Sequence, residues 1–177
     1  YKGCIPWLKS YGSRQVKPEV VPMTTDTVFD LASLTKPIAT ATSIMLLIED
    51  GLVELDAPAS RYIPEFGVNG KETITVRQLL THQSGLLPDN SIKDYADGRA
   101  EAFRRIHELG LRAEPGTKFI YSDVGFIVLG EIVERVSGKS LDVFSQERIF
   151  KPLGMTHTGF NPRPELKKQA APTQERD

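Results

Sequence analysis

One cysteine, one tryptophan and three histidines among 177 residues leave several chemistries without their usual material. Cys4 stands alone, so no intrachain disulfide can form. His82, His107 and His157 lie far apart with no metal-ligand spacing, and one thiol cannot complete a zinc site. No metal or organic cofactor is therefore expected. Long apolar runs are missing too. The longest, residues 38–48, is interrupted by Thr40, Thr42 and Ser43 and is too short to span a bilayer. The opening phrase YKGCIPWLKSYG lacks the apolar stretch of a secretory leader. Neither sign of charge is in excess. Lys and Arg number 22 against 23 Asp and Glu, a net charge of -1, so nothing favours nucleic acid or an acidic membrane as partner. No serine sits in a G-x-S-x-G elbow, which argues against an α/β-hydrolase. No glycine-rich phosphate loop and no internal repeat occur.

What is present is ordinary globular material, 40% hydrophobic and 25% charged, enough for one sizeable core. Residues 1–32 read as strand and loop, broken at Pro18 and Pro22. Residues 33–150 read as mostly helical. A helix is predicted over about 33–50, with Pro37 in the first turn, where a missing N–H costs little, and Gly51 just past its end. Thr75 and Gln78 have capping-box spacing for a helix that stops by Ser84-Gly85, with His82 near its end, where a cation is favourable. Residues 98–109 form a charged helix with Phe103 and Ile106 inward and His107 at the surface. Phe119 to Tyr121 is extended. Ser122 or Asp123 caps a helix ending at Gly138, and Ser140 caps another to Phe150. Residues 151–177 read as a return segment in which LGMTHTGF is a strand.

Ser33-Leu34-Thr35-Lys36 is the first chemical candidate. At i and i+3 the two side chains share a helix face, roughly 5–6 Å apart at Cβ. A serine hydroxyl is a weak nucleophile until a neighbour takes its proton. Lysine can do so if burial and the positive helix N-terminus depress its pKa, and that terminus also favours an oxyanion. With 11 serines and 11 lysines, chance places about 0.7 such pairs in a chain of this length, so spacing alone decides nothing. A cap serine followed by a surface lysine is the plainer reading. The second candidate is Tyr121-Ser122-Asp123, at the entry to a helix after the Pro115-Gly116 turn. A phenol there can relay a proton. It could equally be a half-buried tyrosine beside an N-cap. Tyr95-Ala96-Asp97 has the same spelling but lies in a polar loop without flanking structure.

Taken together, these pieces resemble one family. FDLASLTKPIATATSIMLLIEDGLVELDAPASRYIPEF is similar to the nucleophile helix and following segment of the serine β-lactamase and penicillin-binding-protein superfamily. LLTHQSGL resembles the LLTHTSGL phrase found there. PGTKFIYSDVGFIVLGEIVERVSGKSLDVFSQERIFKPLGMTHTGF resembles the second-motif region and the helices after it. The similarity runs through nearly all of residues 23–160, with motifs in the family's order.

The resemblance implies an α+β, β-lactamase/transpeptidase-like fold. The nucleophile helix and helical domain occupy 33–150, and 1–32 and 151–177 belong to an antiparallel sheet domain only partly present. It implies Ser33 as nucleophile, Lys36 as its general-base partner and Tyr121 as the second proton-transfer group. The family members most like it, class C β-lactamases and related esterases and D-Ala carboxypeptidases, carry Tyr-x-Asn where this chain has Asp123. A carboxylate at that substrate-binding position accepts hydrogen bonds but does not donate, and it raises the pKa of a neighbouring lysine. The third motif, Lys-Thr-Gly or His-Thr-Gly on a strand, is missing; His157-Thr158-Gly159 falls in a different family landmark. The expectation is thus a piece of a longer protein with little activity alone. Function is expected to be acyl-enzyme hydrolysis of an ester, β-lactam or D-Ala peptide, with a small molecule or peptide as substrate. Family habit points to the periplasm or cell exterior. The rivals are a non-catalytic member of the fold that binds a peptide or cell-wall ligand, and a plain helical interaction domain.

Overall fold

Apolar side chains on every face of residues 123–137 require a helix enclosed by others, and the rest of the fold is arranged around it. The computed structural model describes residues 3–173. Residues 1, 2 and 174–177, assigned by the sequence to its opening and closing segments, lie outside the described residues. The helices are α1 (Thr42–Glu49), α2 (Val76–Leu80), α3 (Arg99–Glu108), α4 (Asp123–Ser137), α5 (Leu141–Ser145) and α6 (Pro164–Gln169). The strands are β1 (Ser13–Gln15) and β2 (Val21–Pro22), paired antiparallel with an irregular register.

Helix α4 buries Val124, Phe126, Val128, Leu129, Ile132 and Val133. It packs against α1, α2 and α5, sharing a core with Ile44, Leu47, Leu79 and Phe144. Two glycines let neighbours approach. A Cβ on Gly130 would stand 3.4 Å from Leu141, and one on Gly125 3.6 Å from Leu79. The helix starts where Ser122 Oγ accepts the Gly125 N–H at 3.0 Å, and it stops at Gly138, whose φ of 70° only glycine adopts freely.

The predicted helix over 33–50 is continuous but not uniform. A 3₁₀ turn, Ala32–Leu34, leads into a π-helical stretch, Lys36–Ala41, and then into α1. Pro37 donates no N–H, and its carbonyl accepts the Thr42 hydroxyl at 2.8 Å. Helix α2 carries the predicted capping box: Thr75 Oγ1 accepts the Gln78 N–H at 3.1 Å and Gln78 Oε1 accepts the Thr75 N–H at 3.0 Å. It ends at Leu80, sooner than expected, so His82 lies beyond it in a loop.

Three other expectations are corrected. LGMTHTGF is a run of turns, because its N–H groups find local acceptors: Met155 donates to Phe150 and Thr158 to Met155. His107 is buried, not superficial; its Nε2 lies 2.7 Å from Glu131 Oε2 across the α3–α4 contact. Phe103 is only half-buried as a result, since Ala102, Ile106 and His107 form the inner face. The return segment, residues 151–177, also contains α6, opened by Pro164 at its first position. Just after it, Ala171 donates to the Val28 carbonyl at 2.8 Å, returning the chain beside its first segment. Among the described residues no helix is long and apolar enough to cross a membrane.

Candidate active site

Ser33 is presented by a kink. Ala32, one residue earlier, has φ of 43°, in the left-handed region that costs an L-side chain on the order of 1–2 kcal/mol. Asp30 Oδ1 accepts the Ala32 N–H at 2.8 Å and braces that turn. Strain of this kind concentrates at functional sites. Ser33 is left exposed at the start of the helical run. One turn later Lys36 reaches back, its Nζ donating to Ser33 Oγ at 3.4 Å.

Tyr121 arrives from the other side, carried by a zipped pair of loops. Gly116 donates to Gln83 and Ile120 to His82, both at 2.8 Å; Arg112 donates to Gly85 at the same length. The close approach demands glycine at 85, where a Cβ would collide with the Ala113 carbonyl. The next residues are tied to the same loop. Ser122 Oγ donates to the Leu87 carbonyl, and the Asp123 N–H donates to Pro88, both at 2.7 Å. Tyr121 thereby comes beside both Ser33 and Lys36, near enough for each to lower its phenol's pKa. Its ring also faces the Lys36 ammonium, 4.9 Å from the centroid.

The electrostatics assign different characters to these groups. Hydrogen bonds from Ser33 and then Lys36 stabilise the Tyr121 phenolate and bring its pKa below the usual tyrosine value. For Lys36, burial alone would favour the neutral amine. Its hydrogen bonds to Asp123 and Tyr121 outweigh that and hold its pKa above the ordinary lysine value. Asp123 Oδ1 forms a close ion pair with Nζ. The carboxylate at 123 thus raises the lysine's pKa, as its chemistry implies, and outweighs the depression that burial alone would bring.

Two open clefts meet at this point, of about 490 and 550 Å³, within the range typical of small-molecule sites. Ser33, Lys36 and Phe126 line both. One adds Asp123, Ile127 and Leu141; the other adds Leu80, His82 and Tyr121. Tyr95 lines neither, and its hydroxyl donates to Asn90 Oδ1 at 2.6 Å.

Comparison with known proteins matches residues 3–177 to the family described as Beta-lactamase. The chain belongs to the beta-lactamase family. It is 34% identical over 174 residues to an N-acetylmuramyl-L-alanine amidase of Bacillus subtilis (strain 168), covering 91% of this chain and 40% of that protein. It is 36% identical over 167 residues to a putative D-alanyl-D-alanine carboxypeptidase of Escherichia coli (strain K12), covering 87% and 38%. Among solved structures, a family VIII carboxylesterase superposes with a TM-score of 0.79 at 26% identity, over 90% of this chain and 44% of that one. The fold is accordingly β-lactamase/transpeptidase-like, and this beta-lactamase family chain spans about two fifths of the length of those relatives.

All four residues singled out by the sequence, Ser33, Lys36, Tyr121 and Asp123, are brought together. Two residues of the site were not foreseen. Ala32 carries no sequence signal, because a strained alanine is spelled like any other. His82 sat in the LLTHQSGL phrase without a role. Its expected cationic character is corrected too: burial first, and the Lys36 charge second, push its pKa below the usual histidine value.

Proposed function

We propose that this chain carries the nucleophile and proton-transfer groups of a serine acyl hydrolase acting on an ester or amide carbonyl. The observation that carries the reading is the convergence of a serine hydroxyl, a cationic amine and an acidified phenol at the junction of two clefts. Tyr121 as phenolate takes the Ser33 proton while Ser33 Oγ attacks the carbonyl carbon. The tetrahedral adduct collapses to an acyl-serine, and the Tyr121 phenol returns that proton to the leaving group. Water then adds to the acyl carbon, giving a proton to Tyr121; as the acyl–Oγ bond breaks and the acid departs, that proton passes to Oγ, restoring the Ser33 hydroxyl and the Tyr121 phenolate. Lys36 stays an ammonium throughout. It holds down the phenol pKa and steadies negative charge at Oγ. Ser33 lining both clefts supports one side for the acyl group and the other for the leaving group.

Asp123 narrows the substrate. An ionised carboxylate beside the reacting centre repels the carboxylate that β-lactams and D-Ala peptides carry, whereas a neutral ester meets no such penalty. Esters are therefore the favoured class, in line with the carboxylesterase likeness. The names of the amidase and carboxypeptidase relatives support a cell-wall setting, in the periplasm or outside the cell, for the full-length protein.

The test is covalent labelling of the full-length protein by a fluorophosphonate, with Ser33→Ala as control. It is paired with hydrolysis of a short-chain nitrophenyl ester and a chromogenic cephalosporin. The expected result is labelling that vanishes in Ser33→Ala, with ester turnover exceeding cephalosporin turnover. A protein that never labels belongs instead to the non-catalytic, ligand-binding class of this fold.

A further inference from the structure

His82 holds the chain on both flanks of Tyr121. Its carbonyl accepts the Ile120 N–H at 2.8 Å, and its ring Nδ1 accepts the Ser122 N–H at 3.0 Å. The ring itself packs on the Tyr121 ring, centroids 4.4 Å apart at 31°, with Phe126 at 5.1 Å and Phe119 at 5.7 Å. The residue adopts φ of 57°, a conformation that aims carbonyl and imidazole at the same short segment. Nothing in the acyl-transfer steps above uses the imidazole.

We infer that His82 is a positioning residue that keeps the Tyr121 phenol over Ser33 only while its imidazole is neutral. This rests on Tyr121 being the proton-transfer group. The chemistry of Nδ1 decides the charge state. A nitrogen that accepts from a backbone N–H has its lone pair occupied, so the ring proton of the neutral form sits on Nε2. Protonating Nδ1 would set two N–H groups against each other and break the Ser122 N–H bond, leaving the Ser122 side chain and the Asp123 N–H to hold that flank. Backbone loosened there moves Tyr121, the adjacent residue. The charged groups facing the ring are Lys36 from the nucleophile helix, Asp123 from the start of α4, and the Tyr121 phenol. Burial and Lys36 disfavour the imidazolium, and Asp123 favours it less strongly. The neutral, Tyr121-holding form therefore persists through neutral pH and is lost only below the ordinary histidine range.

The experiment follows ester hydrolysis against pH in the full-length protein, with His82→Leu, His82→Asn and Ser33→Ala, each checked for fold by circular dichroism. Leucine keeps bulk but accepts nothing. Its kcat is expected to fall roughly 10- to 100-fold with little change in KM, since displacing a reacting group by about an ångström costs that much. Asparagine tolerates positive φ and offers an amide oxygen in place of Nδ1. It is expected to keep most of the rate and to lose the extra steepness at the acid end, where imidazole protonation adds to that of the Tyr121 phenolate. A folded His82→Leu with unchanged kcat overturns the inference, as does a His82→Asn profile that falls as steeply as the parent's at its acid end. Should His82→Leu fail to fold, the His82→Asn profile decides alone. Activity surviving in Ser33→Ala would instead overturn the hydrolase reading, so the two failures are told apart.

Discussion

At the scale of single residues, Asp123 is the departure with most consequence. It holds Lys36 cationic through a direct ion pair, and its charge also pushes the Tyr121 phenol upward against Ser33 and Lys36. Asp123→Asn removes that push, so the phenol pKa falls further. If Tyr121 reacts as phenolate, activity rises with pH through the phenol's pKa, and the variant's rise moves to lower pH. The amide also donates a hydrogen bond and no longer repels a substrate carboxylate. The ratio of cephalosporin to ester turnover is therefore expected to increase, by on the order of tenfold for about 1.4 kcal/mol of relieved repulsion. A pH profile that stays in place or moves upward would count against Tyr121 as the base. The four residues concerned were legible because each pair is local: Ser33 with Lys36 one turn apart, and Tyr121 with Asp123 at one helix entry. Ala32 and His82 were not, because their contributions are backbone dihedrals and a bond between residues forty apart.

Among the elements, the helices followed their caps and periodicity, with Thr75, Gln78, Ser122 and Gly138 marking ends as their chemistry requires. The failures came where tertiary partners override local pattern. The face of α3 is one such case: a histidine on a charged helix reads as solvated, but a carboxylate on another helix draws it inward. His107 and Glu131 are both almost fully covered, and Glu131 also takes Arg135 at 2.8 Å. His107→Leu preserves volume but strands one carboxylate oxygen. A loss of about 1–3 kcal/mol is expected, the cost of an unmade buried hydrogen bond, read as a lower midpoint in urea with an unchanged slope. A midpoint equal to the parent's would mean that Arg135 alone satisfies the carboxylate. LGMTHTGF was misread for the opposite reason. The phrase reads as extended, but the Met155, Thr156 and Thr158 N–H groups are taken up by carbonyls close in sequence.

For the whole molecule, the site is a meeting of segments distant in sequence, so its geometry depends on how α4 seats against the nucleophile helix. The apolar side chains of helix α4 are mostly covered, but those of the opening segment and the outer face of the nucleophile helix are not. Trp7 is 72% exposed, and Ile5, Leu8, Val16, Val20, Phe29, Leu34 and Met45 are exposed as well. Scattered apolar residues are normal on a protein surface; large ones contribute to association where they come together in a patch. Opposing charge is weak: a net -1 over 177 residues provides almost no mutual repulsion between copies. The 177-residue chain on its own is therefore expected to self-associate as its concentration rises. Because the drive is apolar, sulfate should strengthen the association rather than screen it away. Sedimentation velocity across a concentration series checks this, with a Trp7→Ser, Phe29→Ser, Met45→Ser variant expected to shift toward monomer. If the parent stays monomeric at high concentration in sulfate, these side chains pack more quietly than their exposure implies. Association relieved by chloride instead would mark it as ionic, arising from the paired charges of α3 and not from the apolar stretch.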